Sequence, residues 1–263
     1  MKYLKYSLLC IALLFFALNF VDYNIVEDSE TPLLQEKYEP ALQKLNTMQK
    51  LETYVDSIAI AEKITPGSLD YAIIAKDVIS DRFFHKYSTQ DLNENWIASV
   101  AQKITGLYLS SKIRAEDILT KPYGYCGQQN MVLFELLQKK GLDCRVVYLP
   151  NHFAIQSNIN GKWHFFDSNM EPDILKHQRS DEKWLHNIDS LSVAYRKDKN
   201  WVSETFGNPV VFKYGEVNET QGPKAQLFQK ITKPLSRIAF IFPLLWFVYL
   251  KRKKNTRATN NTK

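Results

Sequence analysis

A chain of 263 residues, 45% hydrophobic and 13% aromatic, carries the apolar content of a folded protein and excludes a disordered one. Its formal charge of +6 invites a nucleic-acid partner, but the distribution of that charge argues against one. Between Asp22 and Ser236 stand 25 Lys and Arg against 28 acidic residues, a balance of −3, so the excess positive charge is wholly terminal and no basic stripe marks the folded part.

The first element is the run "YSLLCIALLFFALNFV", Tyr6–Val21, uncharged for 16 residues. A membrane core asks for roughly 20 residues at 1.5 Å each, a gap that Lys5 can close by extending its side chain to the interface. No A-x-A cleavage site follows, so residues 1–21 are expected to be a retained anchor, with a cleaved signal peptide as the alternative. Cys10 is then buried packing within it.

Residues 22–64 predict a helical stalk or lead-in. Thr31-Pro32 has the form of a helix start, and Leu34, Tyr38, Leu42, Leu45, Met48, Leu51, Val55 and Ile58 recur at helical spacing, with Pro40 as a break or kink inside the run. A second helix is expected from Thr65-Pro66 through "YAIIAKDVISDRFF", and a third over "NENWIASVAQKITGLYL".

The signals sharpen at "YGYCGQQNM", Tyr123–Met131. One of only three cysteines stands between Gly124 and Gly127 just before a helix whose apolar stripe is Met131, Leu133, Phe134, Leu136 and Leu137, and which Gly141 stops. "CRVVYL" is a short β-branched strand, "HFAIQSNI" alternates apolar and polar, and Asn160-Gly161 is a two-residue hairpin turn leading into "KWHFF". The order is one helix and then three strands, most simply an antiparallel meander. Beyond Asp167 the signals weaken to mixed short elements.

Cys126 therefore opens a helix, His152 opens the second strand, and Asp167 closes the third. The hairpin makes His152 and Asp167 cross-strand neighbours. A cysteine at a helix N-terminus feels the positive end of the dipole, which favours thiolate, and Gly124 and Gly127 are expected to clear space for a substrate around the sulfur. The set has the form of nucleophile, base and orienting acid. Cys144 is read as strand packing, although a Cys126–Cys144 disulfide is the competing possibility. His164, His177 and His186 show no metal-ligand spacing, so no metal and no cofactor is expected.

The segment "GYCGQQNMVLFELLQKKGLDCRVVYLPNHFAIQSNINGKWHFFD" resembles the core of the transglutaminase-like superfamily, with its cysteine opening a helix, a G-x-x-x-R-x-V strand, a histidine opening the next strand, a G-x-W hairpin and a closing aspartate. The likeness covers about 45 residues strongly. It implies an α+β fold in which the helix bearing Cys126 packs on an antiparallel sheet. It also implies Cys126 as nucleophile, His152 as base and Asp167 as orienting acid, acting on amide, peptide or isopeptide bonds through a thioester. The Cys126 N–H is the implied oxyanion donor, with Trp96 a candidate for the second. Two alternatives stand beside this reading: a non-catalytic scaffold of the same fold in an envelope complex, and a papain-like or cell-wall cysteine peptidase.

The last run, "IAFIFPLLWFVYL", Ile238–Leu250, is uncharged for 13 residues and followed by "KRKK". With Trp246 and Tyr249 near its end it predicts a second span, placed at 233–251, and a basic cytoplasmic tail at 252–263. The expected organisation is thus a transglutaminase-like domain over 65–232, core 113–172, held at the outer face of a bacterial cytoplasmic membrane by a span at each end. Its expected partners are the membrane, an envelope protein, and a protein, peptide or cell-wall substrate; nucleic acid is not among them.

Overall fold

The computed structural model describes residues 2–26 and 37–260. The helix start expected at Thr31-Pro32, with Leu34 of the same pattern, lies outside them. In chain order the elements are α1 (Lys2–Leu18), a 3-10 turn (Pro40–Lys44), α2 (Met48–Ala61), α3 (Leu69–Arg82), α4 (Leu92–Thr105), α5 (Ala115–Ile118), α6 (Cys126–Lys139), β1 (Asp143–Tyr148), β2 (Phe153–Ile159), β3 (Lys162–Phe166), two further 3-10 turns, α7 (Ile188–Tyr195), α8 (Lys199–Phe206), β4 (Lys213–Tyr214), α9 (Pro223–Ile238) and α10 (Ile241–Asn260). The class is α+β, with one antiparallel sheet in the order β3-β2-β1-β4. The chain divides into two compact units: Met1–Asp28, Thr89–Ser111 and Pro223–Lys263 form one, and Ser29–Ser88 with Lys112–Gly222 form the other.

In the second unit the local chemistry sets the element ends. Pro40 begins its 3-10 turn, where the missing N–H costs nothing, and the helical pattern resumes as α2 only after Thr47, whose side chain accepts from Lys50 N at 3.2 Å. The restart expected at Thr65-Pro66 moves to Ser68. Gly67, at φ +79°, closes the preceding turn, and the Ser68 hydroxyl accepts from Tyr71 N at 3.2 Å. The hairpin forms at Asn160 (φ +53°) and Gly161 (φ +77°), the positive-φ pair a type I′ turn requires.

The core of this unit joins the sheet to the helices. Val146, Phe153, Ile155 and Phe166 of one sheet face meet Leu133, Phe134 and Leu137 of α6, and α3 packs on the same helix. Leu42, Leu45, Met48, Leu51, Val55 and Ala59 are buried in that cluster, so residues 42–59 of the 22–64 segment are core and not a stalk. The opposite sheet face, with Val147, Ala154 and Phe165, is covered by Trp184, Leu191, Val202 and Phe206. The weak signals after Asp167 thus hold a second layer.

The other unit gathers α1, α4, α9 and α10. This departs from the expected boundaries, which put α4 within the 65–232 domain; α4 packs along α9. The single span expected at 233–251 is divided between α9 and α10, which are bent by 43°. The new helix starting at Ile241 puts Pro243 in its first turn, where its ring avoids the collision with the Ala239 carbonyl that a continuous helix would impose, while α9 carries Pro234 in its interior. Among the described residues no single helix is long and apolar enough to cross a membrane, although the bent pair passes that test together.

Leu51 tests whether the lead-in is structural. Leu51→Ala should lower stability to urea by about 2–5 kcal/mol, the range for a cavity in a packed core. A residue on a stalk would change the urea midpoint hardly at all.

Candidate active site

Cys126 is the first residue of α6, His152 lies just ahead of β2, and Asp167 follows β3 directly. The hairpin register pairs Ile155 with Phe166; carried outward, it sets Asp167 opposite Ala154, so His152 is its diagonal neighbour on the same face rather than its direct partner. The imidazole spans the diagonal, with Nε2 2.6 Å from Asp167 Oδ2. The Cys126 side chain lies near enough to the same imidazole to help hold its proton. Because Nε2 is engaged by the carboxylate, Nδ1 is the nitrogen left to face the sulfur. The three predicted residues are therefore brought together, and all are buried, Cys126 keeping 9% of its surface accessible.

Asp167 is held by a full set of donors. Oδ1 accepts from Asn169 N and Met170 N, each at 3.1 Å, and from Asn130 Nδ2 at 3.4 Å; Oδ2 accepts from His152 and from the Tyr195 hydroxyl at 3.2 Å. Burial, then the nearby Asp167 charge, pushes the Tyr195 phenol well above its ordinary value, so it stays a donor. Burial alone would push the His152 imidazolium down. The Asp167 carboxylate and the Cys126 side chain outweigh it and hold the imidazolium up, to about 10.

Asn130 ties the three elements to one another. One turn along α6 from the cysteine, it is fully buried. Its Nδ2 donates to Cys126 O at 3.0 Å and to Phe153 O at 2.8 Å, and its Oδ1 accepts from Ser168 N at 2.8 Å. Sequence reasoning missed Asn130 and Tyr195. The available signal for Asn130 was "QQN", three polar residues interrupting the face that should be buried.

Other expectations are corrected. Trp96 is not an oxyanion donor: its indole N–H donates to Ser236 O at 3.0 Å, its ring stacks on Phe15, and it belongs to the other unit. Gln128 cannot take that role either, because its Nε2 donates to Ser88 O at 2.6 Å and Lys112 O at 2.8 Å. The first amides of α6, Cys126 and Gly127, have no carbonyl within the helix to donate to, so the Cys126 N–H is free of an intrahelical partner. The space beside Gly127 is not open to a substrate. A Cβ there would lie 3.0 Å from the Tyr125 hydroxyl and 3.2 Å from Gln221 Oε1, so the glycine accommodates the protein's own side chains. Near Gly124 the neighbours are likewise Gln128 and Gln129.

Cys126 and Cys144 are both free thiols. Cys144 is sealed in β1, where burial pushes its thiol up to about 11 and makes it a poor nucleophile. Among the described residues no group of three or more His, Cys, Asp or Glu is arranged to hold a metal. The site is thus equipped for proton transfer around a thiol.

Two outcomes follow from this geometry. The His152 value is raised above its unfolded-state value, so its contribution to stability is complete below pH 6.5 and is lost as pH rises through about 10. Urea unfolding across that window should weaken more for wild type than for His152→Gln. In Tyr195→Phe the carboxylate loses a donor and its charge turns more fully on the imidazolium. The His152 ring, followed by NMR of labelled histidine, should then titrate higher than in wild type, with a stability loss of about 1.5–3 kcal/mol for a hydrogen bond to a charged group. An unmoved titration would reduce Tyr195 to packing. No family model, curated protein or solved structure matches the chain, so these side chains and their distances carry the functional argument.

Proposed function

We propose that the protein is a membrane-tethered cysteine enzyme with a transglutaminase-like core, acting on an amide, peptide or isopeptide bond by hydrolysis or acyl transfer. The observation that carries this reading is the buried His152–Asp167 contact of 2.6 Å, with Cys126 on the same imidazole at a helix N-terminus. A scaffold has no use for an imidazolium held between a thiol and a carboxylate that takes five donors. The donor set on Asp167 and the single-hairpin origin of His152 and the acid support the transglutaminase-like arrangement over a papain-like peptidase.

The steps use only groups in this chain. The proton of Cys126 resides on His152, and the thiolate attacks the substrate carbonyl carbon, forming the C–S bond while the oxygen takes the negative charge. The Cys126 N–H faces that oxygen. The tetrahedral adduct collapses, the C–N bond breaks, and His152 delivers its proton to the departing amine, leaving a thioester. Water or an acceptor amine then gives a proton to His152 and attacks the thioester; the thiolate leaves, and the starting state returns. Asp167 stays anionic throughout and fixes the ring so that one nitrogen serves the sulfur.

The tether is read from α1 and α10, which pack on each other and leave Leu13, Leu14, Phe242, Leu245 and Trp246 exposed. Apolar surface of that extent on two adjacent helices suits lipid better than water. Lys251 and Arg252 end the apolar part of α10 and favour the cytoplasmic side, which supports a reading in which the enzyme acts at the outer face of a bacterial cytoplasmic membrane on protein, peptide or cell-wall substrates, with an envelope protein as partner.

The decisive assay is alkylation of the full chain by iodoacetamide, read by peptide mass spectrometry. Cys126 should react at pH 6, where a free thiol of pKa about 8.5 is well under 1% thiolate. His152→Ala should abolish that low-pH reaction, and Cys144 should stay unmodified. On an amide substrate identified by screening, Cys126→Ser should lower kcat by roughly 10³-fold or more. A Cys126 that is inert at pH 6 and indifferent to His152→Ala would sink the enzyme reading and favour the scaffold.

A further inference from the structure

Within the unit that holds the terminal helices, α9 is built with its polarity reversed. Its buried residues are Gln229, Thr232 and Ser236, at i, i+3 and i+7, on the stripe that faces α4. That stripe is satisfied by hydrogen bonds. Asn95 Nδ2 donates to Thr232 Oγ1 at 2.9 Å, Gln90 Nε2 donates to Gln229 Oε1 at 2.9 Å, and Gln229 Nε2 donates to Ser111 O at 2.6 Å. On the opposite side of the helix, about half a turn away, lie Leu227, Ile231 and Ile238, which are 59%, 58% and 47% exposed. A helix folded for water buries its apolar stripe; α9 buries an uncharged polar stripe and exposes both its apolar stripe and most of its cations.

The charges on α9 say what covers the exposed stripe. The helix carries Lys224, Lys230, Lys233 and Arg237 and no acidic residue. Apolar side chains on one face with cations along the margins describe a helix lying at the boundary between headgroups and acyl chains of an anionic membrane. A partner protein binding this face would be expected to meet mixed charge, and a second copy would set cations against cations. Continuity supplies the remaining argument: α9 leads, through a 43° bend, directly into the apolar face of α10.

We propose that α9 is a membrane-surface helix, with Leu227, Ile231 and Ile238 inserted among anionic phospholipids and its basic residues at the headgroups. The inference rests on the membrane reading of the bent α9–α10 pair and assigns the Leu227–Ile231 part of α9 to the membrane surface, with Ile238 entering alongside α10. The bend makes the insertion oblique. Ile238 sits deepest, next to α10, and Leu227 shallowest, 11 residues and some 16 Å further along the helix by its rise of about 1.5 Å per residue. Such a helix fixes the orientation of its unit on the bilayer, which a lone span does not.

The test uses the full chain reconstituted in vesicles of phosphatidylcholine and phosphatidylglycerol, with bromines placed either shallow or deep on the acyl chains. Single substitutions Leu227→Trp, Ile231→Trp, Ile238→Trp, Leu245→Trp on α10, and Val193→Trp on the thiol unit each add one fluorophore to the parent protein. The expected result is loss of the added emission at 227 and 231 with shallow bromines, a shift towards deep bromines at 238, deep quenching at 245, and none at 193. Quenching at 245 with none at 227 and 231 overturns the surface-helix proposal and leaves the membrane reading standing. Loss of quenching at 245 as well removes both. If 231 escapes bromine but is shielded from aqueous acrylamide, protein covers the stripe and the lipid assignment fails. Equal quenching at 227 in pure phosphatidylcholine overturns the anionic part of the assignment. Two reporters on the same stripe keep the result readable if either substitution impairs folding.

Discussion

The carboxylate of Asp167 is fully buried, and among the described residues no Lys or Arg is one of its hydrogen-bond partners. Moving an isolated carboxylate out of water is costly, and it becomes tolerable only when donors replace the lost hydration. Here the replacements come from four parts of the fold: the following loop through Asn169 N and Met170 N, helix α6 through Asn130, the head of β2 through His152, and the end of α7 through Tyr195. The ion can be accommodated only when helix, sheet and second layer have all docked. The fold is in that sense arranged around one negative charge, and the chemistry at Cys126 inherits its alignment from that arrangement.

The same constraint explains why the imidazole is held charged despite its burial. Desolvation acts on His152 as it would on any buried base, but the 2.6 Å contact and the sulfur on the ring's other side act in the opposite sense and win. Asn130 makes the geometry rigid. Its amide joins the carbonyl of Cys126 to the carbonyl of Phe153 and takes the amide of Ser168, so a shift of any one element breaks a buried hydrogen bond.

Much of this was legible from residue order. Cysteine before a helix, histidine before a strand and aspartate after the next strand follow from turn chemistry, because Asn160-Gly161 permits only a tight hairpin. The bounds of β3 were readable for the same reason. Tyr195 was not, since it reaches Asp167 from 28 residues further along the chain, through a layer with no strong periodicity. Pattern reasoning also took Gly127 for an opening, whereas the space beside it is taken by the ring of Tyr125 folded back upon it. A glycine announces a close approach without saying of what.

Periodicity failed in a more instructive way at α9. It identifies a helix with two unlike faces and is silent about which face is inside. The usual assumption, that the apolar face is buried, presumes water as the solvent. In α9 the assumption gives the wrong answer, because Gln229, Thr232 and Ser236 are buried, and α4 meets them with Asn95, Ser99 and Gln102 buried beside Leu92 and Ala98. A polar seam of this kind holds together in either solvent, since every hydrogen bond within it is made between protein groups. On the outer surface Leu227, Ile231 and Ile238 continue in character the exposed faces of α1 and α10, and the proposed membrane contact rests on that continuity. The two units thus solve one problem, the burial of polar groups, by the same means. They differ in what their surfaces are prepared to meet: the thiol unit presents ion pairs such as Lys140 with Glu52 and Asp56, and the other presents hydrocarbon edged with cations.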